Sequence, residues 1–125
     1  MAPEVAAALK RALASVVEQG TARRLRGAFL RPDKTPVEVG GKTGTGDNRT
    51  EIYGPGGNLR ESRAVNRTAT FAFYLGDRHF GVITAYVPGA LADNYNFTSA
   101  LPVQILKIMA PHIGPYLQKG GAARC

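Results

Sequence analysis

Five consecutive residues carry more potential chemistry than any other stretch of this chain. Gly41-Lys42-Thr43-Gly44-Thr45 combines one cation, two hydroxyls and backbone free of side chains. Extended backbone alternates its side chains, so the hydroxyls of Thr43 and Thr45 point to one side, across Gly44, and can grip one carboxylate. Lys42 supplies positive potential for that carboxylate or for a developing anion. Gly44 and Gly46 leave room for a ligand backbone to lie against the strand. A phosphate-binding loop does not fit. It requires glycine where Pro36 stands and a helix where Gly46-Asp47-Asn48 leads into polar chain. A dinucleotide fingerprint starting at Gly44 fails on Arg49, its last position. Taken by themselves, these five residues also suit an ordinary glycine-rich turn.

The elements that must position this stretch can be read from hydrophobic spacing. Residues 1–20 hold an amphipathic helix with Pro3 in its first turn, Val5, Leu9, Leu13, Val16 and Val17 on one face, and Gly20 as its stop. Residues 37–87 hold the sheet. Val37 and Val39 alternate with Glu38 and lead into the glycines, giving a first strand over 37–46. Residues 47–67, with Gly54-Pro55-Gly56-Gly57 at the centre, are polar and glycine-rich and are expected to be a long loop. Thr68 to Leu75 and His79 to Val87 form a hairpin about Gly76-Asp77-Arg78. Both faces of that hairpin carry apolar residues, so the sheet is expected to be covered on both sides. A C-terminal helix spans 98–117, capped by Thr98 or Ser99, with Leu101, Ile105, Ile108 and Met109 as its buried stripe. Pro111, Gly114 and Pro115 are expected to break it, and 118–125 to form a tail. The fold class is therefore α+β: a three-stranded antiparallel sheet with flanking N- and C-terminal helices.

Bulk properties narrow the function classes. At 125 residues, 44% hydrophobic and 20% charged, the chain suits one globular unit with one core. No apolar run approaches the ~18 residues of a membrane-spanning helix. The formal charge of +7 gathers at Arg23, Arg24, Arg26, Arg31 and Lys34, and again at Arg49, Arg60, Arg63 and Arg67. No nucleic-acid motif accompanies these clusters, so a solvated basic surface is the simpler reading and no nucleic-acid partner is expected. Cys125 is the only cysteine, and His79 and His112 make no histidine cluster, so neither metal nor cofactor is implied.

In wider context the five residues gain meaning. Val16-Val17-Glu18-Gln19-Gly20-Thr21-Ala22, the spacing from there to Gly41-Lys42-Thr43-Gly44-Thr45, the aromatic strand that follows and the final helix resemble the C-terminal third of class A, bifunctional penicillin-binding proteins. The resemblance spans roughly residues 5 to 117. One departure is the strand after the loop, which often carries a Trp-Phe pair in that family and here reads Thr70-Phe71-Ala72-Phe73. The resemblance implies part of the penicillin-binding, β-lactamase-like fold, in a D,D-transpeptidase that cross-links peptidoglycan through an acyl-serine and binds β-lactams. It implies that Lys42 sets the electrostatics of the site, that Thr43 and Thr45 hold the carboxylate of a stem peptide or β-lactam, and that the Thr45 amide forms half of the oxyanion hole. It implies the periplasmic or extracytoplasmic face of the bacterial inner membrane, with anchoring by parts of a parent protein.

The family also needs a nucleophile in Ser-x-x-Lys and a second motif, Ser-x-Asn. Three residues after Ser15, Ser62 and Ser99 stand Glu18, Val65 and Pro102; two residues after them stand Val17, Ala64 and Leu101. Neither motif is present, so acyl transfer has no activated nucleophile within these residues. The chain is thus expected to be a truncated or processed piece, inactive alone, whose partner is the remainder of the transpeptidase domain. The alternative from another class is a non-catalytic module that binds peptidoglycan or an envelope partner through the same strand. In the resembled fold the rest of the domain fills the side next to His79–Val87. Without it that strand is an open apolar edge, so the piece is expected to self-associate.

Overall fold

A computed structural model describes residues 1–117; the tail assigned to 118–125, with Cys125, lies outside the described residues. Helix α1 runs Pro3–Glu18, three strands follow as β1 (Val39–Tyr53), β2 (Leu59–Leu75) and β3 (His79–Pro88), and helix α2 covers Ala100–Ile113. Short 3-10 turns at Arg23–Leu25, Gly89–Asn94 and Gly114–Tyr116 complete the order. The sheet is antiparallel with strand order β1-β2-β3. Among the described residues no helix is long and apolar enough to cross a membrane.

Alanine-rich sequence and Pro3 at the first turn favour α1, with Glu4 near its positive end. Gly20 closes the helix for a steric reason. Its amide bonds back to the Ser15 carbonyl, and a Cβ there would stand 2.9 Å from Val16 backbone. The expected apolar stripe is only half used: Val17 is buried, whereas Val5 and Leu9 are exposed.

β1 is a strand in spite of its glycines because β2 fills the space they leave. A Cβ on Gly40 would meet the Tyr74 ring at 2.4 Å, and one on Gly41 would meet the Ala72 carbonyl oxygen at 2.4 Å and the Phe71 ring at 2.7 Å. The expected loop over 47–67 is not one. β1 and β2 continue as a paired ribbon from Arg49↔Ala64 to Tyr53↔Leu59, with register shifts that leave Val65 and Arg60 without a partner, and the chain turns around Gly54-Pro55-Gly56-Gly57. Gly56 and Gly57 adopt φ of 94° and 80°, the left-handed region that tight turns require. The ribbon was hidden because residues 50–53 and 59–63 are all exposed, which removes the apolar alternation that marks a half-buried strand.

The register places Phe71 opposite Ile83 and Ala72 opposite Val82, which divides the sheet into two faces. On one face Phe71 and Leu75 pack with Val17, Leu25, Phe29, Val39, Val103 and Leu106 in a single core. The other face was expected to be covered and is not. Phe80 is 88% exposed, Val82 64% and Tyr86 58%, and Ala72 and Thr84 are also exposed.

The buried stripe of α2 also differs from the expectation. Pro102, Val103, Leu106 and Ala110 enter the core, while Ile108 is 64% exposed and Leu101 and Met109 lie outside. This helix is apolar on nearly every side, so spacing alone leaves two candidate stripes, and the sheet takes the less bulky one. Pro111 does not break the helix, which runs on to Ile113 before tightening into the last 3-10 turn. The expected 98–117 helix is thus a shorter one with a 3-10 end. Ser99 makes no side-chain cap bond; the Ala100 amide donates to Thr98 Oγ1 at 3.3 Å instead.

Candidate functional site

The Gly41–Thr45 stretch lies in the sheet-bound half of β1, at the edge of the sheet. β1 pairs with β2 alone, so one side of its backbone has no strand beside it among the described residues. Alternation puts Thr43 and Thr45 on the core face, and Lys42 and Gly44 on the open face. The site therefore straddles one strand edge instead of occupying one surface.

Among the described residues Thr43 is the only buried polar one, 8% exposed, and its hydroxyl oxygen lies 2.7 Å from that of Thr21. Two hydroxyls in that pair share one bond, so one proton remains to be donated elsewhere. Thr45 Oγ1 accepts the Ser99 amide proton at 2.9 Å. Acting as acceptor there, the Thr45 hydroxyl keeps its own proton for a ligand oxygen. The bond also ties β1 to the start of α2, supplying an amide partner that the helix's own Ser99 side chain does not. Lys42 is exposed, and its ammonium donates to the Thr43 carbonyl at 2.6 Å, which leaves two of its three protons.

The glycines separate into two kinds. Gly40 and Gly41 are required by β2's rings and backbone. At Gly44 an added Cβ would meet nothing within 4 Å, so packing does not explain it. Its open side faces the same way as Lys42, beside Thr70 across the ladder.

Neighbouring contacts hold this end of the sheet. Arg67 donates through Nε to the Phe97 carbonyl at 2.8 Å, stacks its guanidinium over the Phe97 ring and lies 3.9 Å from Asp47. Arg49 bonds Asp93 at 2.8 Å and Ser62 Oγ at 2.8 Å. Much of the second basic cluster is thus committed to fixing the segment that leads into α2. At the far end, Tyr74 donates to Glu38 at 2.8 Å, and Lys10 bridges Asp77 at 2.8 Å and Glu38 at 3.3 Å. Burial first, then the Glu38 hydrogen bond, holds the Tyr74 phenol well above its ordinary pKa. The Asp77 and Glu38 hydrogen bonds raise that of Lys10.

The structure brings Lys42, Thr43, Gly44 and Thr45 together as sequence requires of neighbours, and adds two partners. Sequence gives Thr21 no role, and gives Ser99 one only as a helix-cap candidate and a serine that fits neither family motif. Neither carries a local signal, because both act across more than twenty residues of chain. The serines do not form a nucleophile pair with a lysine. Ser15 donates to the Ala12 carbonyl at 2.7 Å, and Ser62 accepts from Arg49. Among the described residues no group of three His, Cys, Asp or Glu side chains is placed to hold a metal ion. The arrangement can offer an anion an ammonium, a threonine hydroxyl and, among the described residues, a strand edge with no strand paired to it. No protein-family model matches this chain, and no curated protein matches it.

Proposed function

We propose that β1 is the carboxylate-binding strand of a serine D,D-transpeptidase of the penicillin-binding fold, with the nucleophile supplied by sequence outside these 125 residues. The supporting observation is Gly44. It stands between Lys42 and Thr45 on an edge strand, and a Cβ added there would meet nothing within 4 Å, although Gly40 and Gly41 on the same strand are sterically required. A glycine left open beside a cation and a free hydroxyl proton fits a ligand backbone laid along the strand. In this reading Lys42 provides the field for a peptide or β-lactam carboxylate, the Thr45 hydroxyl donates to it, and Thr21 and the Ser99 amide hold the two threonines in place. The Thr45 amide is assigned to the oxyanion hole, and the protein to the outer face of the bacterial inner membrane.

A second reading is a non-catalytic module that binds peptidoglycan or an envelope partner through the same edge. The bonds made by Ser15 and Ser62 favour it, because they engage groups other than a lysine. One experiment separates the two. The reading frame upstream of Met1 is sequenced, and its full product and the 125-residue chain are each treated with a fluorescent penicillin. The transpeptidase reading expects Ser-x-x-Lys and Ser-x-Asn upstream, a denaturation-resistant label on the full product and none on the short chain. A full product lacking both motifs and taking no label sinks it and leaves the binding module.

A further inference from the structure

Among the described residues β3 has one neighbour, β2, so the backbone groups along its other side have no ladder partner. The strand is ten residues long, holds no Asp, Glu, Lys or Arg, and has proline only at its last position. Edge strands are normally protected by such residues. In a chain of net charge +7, this uncharged edge is also where two copies can approach with little like-charge repulsion.

A two-fold contact sets a surface against itself, so the strand must complement its own reverse. β3 does so about Ile83. Val82 and Thr84 flank the centre and are both β-branched; Gly81 and Ala85 come next and are both small; Phe80 and Tyr86 follow and are both aromatic. We propose that β3 is a homodimer interface, in which two copies pair their β3 strands antiparallel about Ile83 and fuse two three-stranded sheets into one of six. Phe80 then opposes Tyr86 of the second copy, and Val82 opposes Thr84, on the open face; Gly81 opposes Ala85 on the core face. Aromatic and β-branched pairs directly across an antiparallel ladder are favourable. The side chains concerned are available, since Phe80 is 88% exposed and Tyr86 58%.

The area is compatible with a reversible dimer. Ten residues of strand span about 33 Å, and a sheet layer is about 10 Å deep, so the edge presents about 330 Å². The exposed parts of Phe80 and Tyr86, at about 200 Å² for a whole aromatic side chain, raise this to about 600 Å² per copy. Both copies together bury about 1,200 Å², the lower limit of specific interfaces. The inference concerns the 125-residue chain; in the longer protein proposed above, the part of the domain that fills this side would occupy the same edge in place of a second copy.

Sedimentation equilibrium across a concentration series tests it on the whole chain, the Val82→Lys variant and the Val82→Lys/Thr84→Glu variant. Both positions are exposed, so the fold is checked by circular dichroism and expected unchanged. The parent chain should show a monomer–dimer equilibrium. Val82→Lys places two lysines at diagonal ladder positions about 7–8 Å apart across the axis, and should raise the dissociation constant at least about tenfold. In the double variant each introduced ammonium faces an introduced carboxylate of the other copy, and dimerisation should recover. A monodisperse parent chain at high concentration overturns the proposal. So does association that Val82→Lys leaves intact, a double variant that stays dissociated, or a different polypeptide co-purifying on a monomeric chain.

Discussion

The two kinds of glycine in β1 can be told apart by adding one methyl group. At Gly41 that group would stand 2.4 Å from the Ala72 carbonyl oxygen and 2.7 Å from the Phe71 ring, and Phe71 is fully buried in the core. The carbonyl belongs to β2's backbone and cannot swing away, so the strands must part. Overpacking of this kind costs about 1–3 kcal/mol. At Gly44 the methyl meets nothing within 4 Å, and no positive φ is involved. There the substitution restricts the unfolded chain and stabilises by about 0.4–1 kcal/mol. For a domain of this size, 1 kcal/mol corresponds to about 3–5 °C in Tm. Gly41→Ala should therefore lower Tm by about 3–15 °C, and Gly44→Ala raise it by about 1–5 °C. Thermal unfolding followed by circular dichroism at one protein concentration reads both. If the proposed transpeptidase reading holds, Gly44→Ala in the longer protein should also slow penicillin acylation while the protein remains folded. If Gly44→Ala destabilises as much as Gly41→Ala, Gly44 has a structural duty and the argument that it is kept open for a ligand collapses.

Two other perturbations probe the account. In the longer protein proposed above, Thr45→Val keeps the strand amide but removes the hydroxyl proton. A charge-assisted hydrogen bond is worth about 1.5–3 kcal/mol, so acylation should fall roughly ten- to a hundredfold, and unchanged acylation kinetics would show that Thr45 does not meet the carboxylate. The second concerns pH. The Tyr74 phenol has a higher pKa folded than unfolded, chiefly through burial. The folded state thus retains a proton that the unfolded chain loses, and stability should fall as pH rises above about 10. Lys10 contributes in the same sense through Asp77 and Glu38. Tyr74→Phe should reduce that alkaline slope in denaturant melts without abolishing it, and an identical slope would contradict the assignment.

How much of this was legible in sequence follows from where the physical signal is local. The Phe71-Phe73-Leu75 alternation and the Gly76-Asp77-Arg78 turn announce the β2–β3 hairpin, because one face of it is buried. The ribbon at 49–64 gives no such signal: pairs such as Thr50↔Arg63 and Glu51↔Ser62 are polar on both faces, and only the glycines of the turn stood out. For α2 the periodicity was present but ambiguous, since Leu101, Ile105 and Ile108 make as good a stripe as Val103, Leu106 and Ala110. The choice between them is made by the sheet, a partner that the helix sequence does not encode. The same holds at the candidate site. Lys42 to Thr45 can be named from the chain, but the Thr21–Thr43 and Ser99–Thr45 bonds depend on where α1 ends and α2 begins in space.

The central claim is that the Lys42–Thr45 edge binds a carboxylate at the end of an extended peptide. The direct measurement is titration of ¹⁵N-labelled chain with an acyl-D-alanyl-D-alanine peptide, and separately with its C-terminal amide, followed by amide chemical shifts. The account predicts shifts concentrated at Lys42, Thr43, Gly44 and Thr45, with smaller ones at Thr21 and Ser99, for the acid and not for the amide. Equal responses to acid and amide, or shifts that leave residues 42–45 untouched, would contradict it.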